Sequence, residues 1–270
     1  MLNSERGHAI NTSRANRFAG WVMDFISPRF CDLCRSSLHH PEGIFRWGAR
    51  RDLCTPCENR LSPLDRPFCM RCGEAFDGDT GDDDFRCVNC EGRKLWFDFA
   101  IAAYRAEDDV RDLIHRYKYG RKLRLRQTLA NMLVDVFRHD PRLSVLVGEA
   151  DTVLVPVPLH RLRHATRGFN QALHLARLTG RELGIDMRPC LIRNRATQPQ
   201  SKLNRQERLD NLKGAFGLKN RPWCKDPVRD KTVVLIDDVF TTGTTAAECA
   251  KVLIRNGGAE RVVVATIARG

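Results

Sequence analysis

Eight of the 11 cysteines in this sequence form four Cys-x-x-Cys pairs within residues 31–90. Two thiolates separated by two residues can reach the same ion from one tight turn, so each pair is half of a tetrahedral zinc site. Sites made entirely of thiolates leave no position open for water or substrate, and the sequence therefore predicts two structural zinc ions. The predicted ligands are Cys31, Cys34, Cys54, Cys57, Cys69, Cys72, Cys87 and Cys90.

The spacing leaves the pairing of these cysteines open. A sequential arrangement places residues 31–57 on one ion and residues 69–90 on the other, whereas an interleaved arrangement exchanges pairs between the ions. A disulfide framework is the main alternative, and a reducing compartment disfavours it. We expect metal removal to unfold residues 31–90 and to spare the later part of the chain. Cys190, Cys224 and Cys249 have no partner at metal spacing and are expected to be small buried side chains.

A second chemical signal lies in residues 233–245, Val-Val-Leu-Ile-Asp-Asp-Val-Phe-Thr-Thr-Gly-Thr-Thr. Four apolar residues predict a buried strand, and Asp237 and Asp238 follow at its carboxyl end. The next segment, the threonine loop (residues 241–245), precedes a predicted helix. Its N–H groups and the helix dipole favour a phosphate, and Gly243 lets the backbone approach it. The predicted binding residues are Asp237, Asp238, Thr241, Thr242, Gly243, Thr244 and Thr245.

Two other interpretations of this run fit its residues less well. The acids could simply close a strand while Thr242 caps a helix, but two adjacent acids before Thr-Thr-Gly-Thr-Thr form a more specific pattern than that. A Walker-type nucleotide site is excluded, because the sequence has no Gly-x-x-x-x-Gly-Lys-Ser/Thr. Adjacent carboxylates suit the two hydroxyls of a ribose, which donate to carboxylate oxygens.

The run resembles the signature of type I phosphoribosyltransferases. In that family the acids hold the ribose hydroxyls of 5-phosphoribosyl-1-pyrophosphate, and the loop holds its 5-phosphate. The family also places a pyrophosphate loop after an earlier strand. The matching segment here is the proline loop, formed by Pro156, Val157 and Pro158.

The resemblance implies a reaction in which pyrophosphate leaves a positively charged, sugar-like transition state. Asp237 and Asp238 would take part in catalysis, and Arg161, Arg163 and Arg167 would stabilise the leaving charge. A Mg²⁺ ion would bridge pyrophosphate and ribose oxygens. The sequence identifies neither a general base nor an acceptor. A non-catalytic donor-binding scaffold and a DNA- or partner-binding zinc-ribbon protein therefore remain alternatives to an enzyme.

Together with the cysteine pairs, the run Arg-Gly-Phe-Asn-Gln at residues 167–171 and the segment 193–216 resemble the ComF family of competence-associated phosphoribosyltransferase-like proteins. The resemblance covers about residues 31–270 and does not extend to residues 1–30. It implies a role in natural competence, the uptake of single-stranded DNA during transformation. Single-stranded DNA and a DNA-uptake helicase or channel protein are the implied partners.

The charge balance fits anionic partners. The chain has 45 Lys and Arg against 33 Asp and Glu, a formal charge of +12. Such an excess suits sugar phosphates, pyrophosphate, nucleic acid or acidic lipid. A basic run that includes Lys118, Arg121, Lys122 and Arg124 could form a single-strand track, although runs of this kind are usually solvated helix faces.

Strand and helix patterns alternate after residue 90. Alternation of short apolar strands with helices predicts an α/β fold, a type I phosphoribosyltransferase-like parallel sheet with helices on both faces, preceded by a small zinc-ribbon domain. The predicted domains are an amphipathic N-terminal segment (1–30), a double zinc ribbon (31–92) and a phosphoribosyltransferase-like domain (93–270). Strands are expected at 97–104, 152–157, 233–236 and 262–267, and helices near 110–117, 129–137, 170–183 and 244–256.

Apolar runs in the sequence are all shorter than the roughly 20 residues that span a bilayer. The apolar stripe in residues 18–26 predicts an amphipathic helix that packs on the protein or grazes a membrane. We see no export signal and expect a cytoplasmic protein.

Overall fold

The computed structural model describes residues 30–38, 52–78, 85–120, 122–195, 212–219 and 226–270, and for residues 161–163 it describes the backbone alone. Its helices are α1 (Thr55–Glu58), α2 (Asp108–Tyr119), α3 (Leu125–His139), α4 (Pro141–Ser144), α5 (Arg161–Arg167), α6 (Gln171–Leu183) and α7 (Thr244–Arg255). The predicted N-terminal segment lies outside the described residues except for Phe30.

The centre of the fold is a parallel sheet with the strand order β1-β7-β6-β2-β3. Its strands are β1 (Ala100–Arg105), β2 (Thr152–Pro156), β3 (Asp186–Met187), β6 (Thr232–Phe240) and β7 (Arg261–Arg269). β4 (Leu191–Arg193) and β5 (Phe216–Leu218) form a separate antiparallel pair. All strands of the main sheet end at one edge, and this carboxyl edge is where α/β proteins bind ligands.

Helices cover both faces of the sheet, as predicted. Side chains alternate along β6, so Val234 and Ile236 pack on the front face with α2, α3 and α6. Val233 and Leu235 pack on the back face with α7. The strands are buried on both faces and therefore appear in the sequence as continuous apolar runs rather than alternating ones.

Two strand boundaries differ from the sequence-based expectation. The strand expected at residue 97 begins at Ala100, after Trp96 adopts a positive φ of 62°. β6 was expected to end before its acids, but it continues through them to Phe240, which pairs with Arg269 of β7. The long partner strand extends the ladder, so both acids lie inside β6.

The cysteine-rich segment shares its core with the sheet. Cys31, Cys57 and Leu61 belong to the hydrophobic cluster of the front face. Cys69 and Cys87 belong to that of the back face. The two cysteine clusters thus pack on opposite faces of one sheet, and the cysteine-rich segment shares hydrophobic clusters with the strands and helices that follow it.

Candidate functional site

A cavity of about 900 Å³ opens at the carboxyl edge of the sheet, between the ends of β2 and β6. These strands are hydrogen-bonded neighbours, with Pro156 opposite Ile236. The proline loop and the acid pair are therefore brought side by side, although they are far apart in the sequence. Of the predicted binding residues, Asp237, Asp238, Val157, Pro158 and all of residues 241–245 line this pocket. Pro156 lies just below, as the last residue of β2.

The two acids differ in their surroundings. The Asp238 side chain is buried, and its Oδ1 lies 2.7 Å from Nζ of Lys118 at the end of α2. The backbone N–H of Asp238 donates to Oδ1 of Asp237 over 2.9 Å. Burial, and then the charge of Asp238, raise the pKa of Asp237 to about 7, while Lys118 and Arg193 oppose the shift. The pair thus combines a carboxylate matched to a lysine with one that titrates near neutral pH.

The threonine loop makes a sharp turn into α7. Gly243 has a φ of 72°, in the left-handed region that favours glycine. A Cβ atom at this position would lie 2.6 Å from Cζ of Phe240, so the loop also packs closely on that ring. The hydroxyls of Thr242 and Thr244 lie 3.0 Å apart. Within the part of the chain that the structure describes, no side chain caps α7, and the N–H groups of its first turn remain suited to an anion.

The proline loop is held from both sides. The Val157 N–H donates to the Ile236 carbonyl over 2.9 Å, which continues the β2–β6 ladder beyond β2. Nδ2 of Asn170 donates to the Val157 carbonyl over 3.1 Å. Asn170 belongs to the Arg-Gly-Phe-Asn-Gln run, so this run connects the proline loop to the start of α6.

The three predicted arginines are carried by one helix. Arg167, the last residue of α5, lines the pocket, and its Nη2 donates to the Tyr119 hydroxyl over 2.9 Å. Arg161 and Arg163 lie on the same helix, but their side chains are outside the described part of the structure. The backbone therefore places all three near the proline loop, and only Arg167 is defined as a wall of the pocket.

The sequence did not single out several other residues of the pocket. Lys118 was assigned only to a basic run, and Arg193 on β4 only to a general resemblance. Gln171 is buried, and its Nε2 has no hydrogen-bond partner among the described residues. A buried donor without an acceptor is costly, so this amide points to an acceptor group supplied by a ligand.

The cysteines form two clusters. The first cluster contains Cys31, Cys34, Cys54 and Cys57, the second Cys69, Cys72, Cys87 and Cys90, and within each the sulfurs lie within 4.8 Å of one another. The structure thus resolves the pairing as sequential. Of the lone cysteines, Cys190 and Cys249 are buried as expected, and Cys224 lies outside the described residues.

The cluster dimensions fit zinc. A tetrahedral site with Zn–S bonds of about 2.3 Å places its sulfurs about 3.8 Å apart. The Cys34–Cys54 sulfurs are 3.6 Å apart, those of Cys72 and Cys87 3.6 Å, and those of Cys69 and Cys90 3.9 Å. Disulfide sulfurs would lie about 2.05 Å apart, and the ten described cysteines are all free thiols.

Comparisons with known proteins match the cysteine-rich segment to a family model and most of the chain to two relatives. A family model described as a double zinc ribbon domain matches residues 22–91. "Competence protein F" of Haemophilus influenzae is 30% identical over 249 residues, which cover 92% of this chain and 100% of that protein. "DNA utilization protein YhgH" of Escherichia coli (strain K12) is 31% identical over 233 residues, 86% of this chain and 93% of the relative.

The chain is also similar to a solved adenine phosphoribosyltransferase from Leishmania tarentolae. Its sequence is 14% identical to this chain, and the two structures superpose with a TM-score of 0.29. The match covers 56% of this chain and 74% of that protein. Among the described residues, no helix has both the length and the apolar character that crossing a bilayer requires.

Proposed function

The chain belongs to the ComF family of competence proteins, and on that premise we propose that it binds 5-phosphoribosyl-1-pyrophosphate with Mg²⁺ and acts in DNA uptake. The observation that carries the proposal is the meeting of three elements in one pocket: the acid pair, the threonine loop and the proline loop. The resemblance to type I phosphoribosyltransferases assigns the ribose, the 5-phosphate and the pyrophosphate of one ligand to these three elements. The parallel β2–β6 pairing brings them to one edge.

The polar groups of the pocket fit this donor. Asp237 and Asp238 would accept hydrogen bonds from the ribose hydroxyls, and the threonine loop would surround the 5-phosphate. The proline loop and Arg167 would face the pyrophosphate, whose oxygens could also accept from the orphaned Gln171 amide. Carboxylate and hydroxyl oxygens are the ligands that Mg²⁺ prefers, and the ion would supply charge neutralisation between pyrophosphate and ribose.

Turnover is the second part of the proposal. We propose that the protein is a phosphoribosyltransferase whose acceptor is not identified by the pocket residues. The alternative is a scaffold that binds the donor without using it. Both share the donor site, so donor binding is tested first and turnover separately.

Isothermal titration calorimetry with the donor and Mg²⁺ tests the site. We expect saturable binding that is lost when Mg²⁺ is chelated, and no comparable binding of ribose without phosphate groups. A pyrophosphate-release screen over nucleobases and single-stranded DNA then separates an enzyme from a scaffold. Absence of donor binding in the presence of Mg²⁺ would refute the proposed function.

Binding of single-stranded DNA is a second candidate function. In the predicted basic run, Arg124 pairs with the buried Asp32, and Arg121 lies outside the described residues. A better-defined basic surface is a cavity of about 710 Å³ beside the second cluster. Its charged lining residues are Arg71, Arg86, Arg93, Lys94 and the single acid Glu91.

Charge reversal at Arg86 and Lys94 tests this surface. Phosphate contacts release counterions, so we expect R86E/K94E to weaken single-strand binding and to flatten its dependence on salt. Reversal of the exposed Lys122 serves as the comparison. Equal affinity and an equal salt slope in R86E/K94E would remove this cavity from the interface. None of the ten described cysteines forms a disulfide, which suits a reducing compartment, and we propose a cytoplasmic location on that ground.

A further inference from the structure

One arginine connects the second cluster directly to the threonine loop. Arg93 follows the last ligand, Cys90, by three residues, and its backbone N–H donates to the Cys90 carbonyl over 3.3 Å. Its Nη1 donates to the carbonyl of Thr242 over 3.3 Å and to that of Asn89 over the same distance. The guanidinium thus joins the cysteine turn to the threonine loop, across 149 residues of sequence.

A second arginine reinforces the connection from the end of β7. The Arg269 side chain is only 11% exposed. Its Nε donates to the Cys72 carbonyl over 3.1 Å, and its Nη1 donates to the Phe240 carbonyl over 3.4 Å. Phe240 is the residue whose ring packs against Gly243. The second cluster is therefore linked to two backbone carbonyls on the N-terminal side of Gly243, those of Phe240 and Thr242.

The first cluster provides a natural comparison. Arg60 follows its last ligand, Cys57, by three residues, and its backbone N–H also donates to that cysteine's carbonyl over 3.3 Å. Its side chain takes a different direction, since Nε donates to Oδ2 of Asp109 on α2 over 2.9 Å. Arg60 and Arg93 therefore occupy equivalent positions in two similar turns, and only Arg93 contacts the pocket loop.

Restraint of the Thr242 carbonyl has a direct geometric consequence. In a planar trans peptide, the carbonyl and the following N–H point in opposite directions. Holding the Thr242 carbonyl toward Arg93 therefore turns the Gly243 N–H away from Arg93. Glycine permits the rotation of this peptide that other residues resist, so without the hydrogen bond the unit is free to flip and to present a carbonyl where a phosphate needs a donor.

We propose that Arg93 is a positioning residue of the donor site, which fixes the Thr242–Gly243 peptide and makes donor affinity depend on the second cysteine cluster but not on the first. The inference rests on the proposed function, because the orientation of the loop affects donor affinity only if the loop binds the 5-phosphate. Arg93 itself need not touch the donor.

The matched variants Arg93→Met and Arg60→Met test the proposal. Methionine retains much of the apolar stem of arginine and removes the donors. We expect R93M to raise the Kd for the donor with Mg²⁺ by about tenfold, the effect of roughly one hydrogen bond to the loop. R60M should retain the wild-type Kd, with both variants keeping two zinc ions per chain. R93K, which keeps one charged donor, should recover part of the affinity.

Hydrogen exchange without ligand separates this proposal from the proposed function. R93M should speed exchange of the amides in residues 241–245 relative to wild type, and R60M should not. If the wild-type protein fails to bind the donor, the proposed function is wrong, and the exchange data still decide whether Arg93 restrains the loop. Equal donor affinity and equal loop exchange in R93M and wild type would overturn the inference. If R93M does not fold, R93K carries the same two measurements.

Discussion

The two halves of the cysteine-rich segment have similar motifs but different attachments. The first cluster packs on the front face, where Thr128 of α3 donates to Oδ2 of Asp32 over 2.7 Å and Nη2 of Arg124 lies 3.0 Å from Oδ1. The second packs on the back face and reaches the threonine loop through Arg93. The first half is therefore attached to α3, whereas the second half is attached both to α4, through Arg142 and the Met70 carbonyl, and to the turn that forms the candidate site.

The two predicted zinc ions therefore differ in what their turns hold in place. Both zinc ions are expected to stabilise the fold, since each closes a turn whose side chains join a hydrophobic cluster of the sheet. The turn that follows the second cluster also holds a backbone carbonyl of the threonine loop, through Arg93. The same local motif can thus act in stability alone, or in stability and ligand binding, according to what the residue after its last cysteine contacts.

The largest expected effect is that of removing both metals. The sequence suggested that only residues 31–90 would unfold, but the shared cores predict that the whole chain melts at a lower temperature in one transition. Structural zinc in small domains contributes about 10 kcal/mol or more, comparable with the whole stability of a protein. Circular dichroism melts before and after chelation, with zinc counted by elemental analysis, measure this. A metal-free protein that retains the wild-type melt of its α/β part would show that the halves are independent of the sheet.

The attachment of the first half is tested by Asp32→Ala. Asp32 is 1% exposed, and its loss leaves Arg124 and the Thr128 hydroxyl without their acceptor. Arg124 is partly exposed and remains solvated, so we expect the free energy of unfolding to fall by about 2 kcal/mol, the cost of the unsatisfied buried Thr128 hydroxyl, with donor affinity unchanged. The control is Asp77→Ala. Asp77 also forms an ion pair over 3.0 Å, with Arg105, but its side chain is 91% exposed. That surface pair contributes about 1 kcal/mol at most, so equal denaturation midpoints for the two variants would contradict the role of Asp32.

The acids of the pocket should affect donor affinity, which Asp32 should not. Asp237→Asn/Asp238→Asn keeps side-chain size and removes the charged acceptors, each worth about 1.5–3 kcal/mol in a charge-assisted hydrogen bond. Donor affinity should fall by at least about tenfold, with zinc content unchanged. The melting temperature should fall as well, because the partly buried Lys118 loses the charge of Asp238, so affinity is measured well below the melting temperature of the variant. Asp186→Asn, on the exposed edge strand β3, is the control. Calorimetry that gives one Kd for wild type and the double variant would refute the assignment of the acids to the ribose.

Much of the fold and of the candidate site was predictable because their signals are local. Cys-x-x-Cys spacing identifies zinc turns without knowledge of the rest of the chain. Alternating strands and helices predict a parallel sheet, and ligands of such sheets gather at the carboxyl edge, which placed Asp237 and the threonine loop together. The pairing of the clusters needed the structure, since spacing alone permits both arrangements.

The remaining parts depend on contacts between distant segments. Lys118 reaches Asp238 only because α2 ends beside β6, and no local pattern in a basic run marks that lysine. The contact between Arg93 and Thr242 likewise has no signal in either segment. The extension of β6 through its acids depends on β7 as a long partner, whereas the sequence of β6 alone suggested that the strand ends at Ile236.

The pH dependence of donor affinity tests whether Asp237 titrates in donor binding. Because the pKa of Asp237 is raised to about 7, its deprotonated fraction rises from about one tenth at pH 6 to about nine tenths at pH 8. The carboxylate is the form that accepts from hydroxyls and binds Mg²⁺, so donor affinity should increase by about tenfold over this range. Folding stability should respond to the titration of Asp237 in the opposite direction to donor affinity. Between the ordinary pKa of 3.8 and the raised value, the folded protein binds more protons than the unfolded chain, so the Asp237 contribution falls as pH rises through about 7.

Titration of the donor's own phosphate, with a pKa near 6, must be separated from that of the protein. Asp237→Asn provides the control, because it leaves the donor and Asp238 intact and removes only the group with the raised pKa. Its Kd should be higher at every pH and should vary only as much as the donor's titration requires. Arg93→Met, which acts on the loop and not on the acid, should keep the wild-type pH profile at a uniformly weaker affinity. A wild-type profile as flat as that of Asp237→Asn would show that Asp237 does not titrate in donor binding. A profile altered by Arg93→Met would show that the second cluster acts on the acids as well as on the loop.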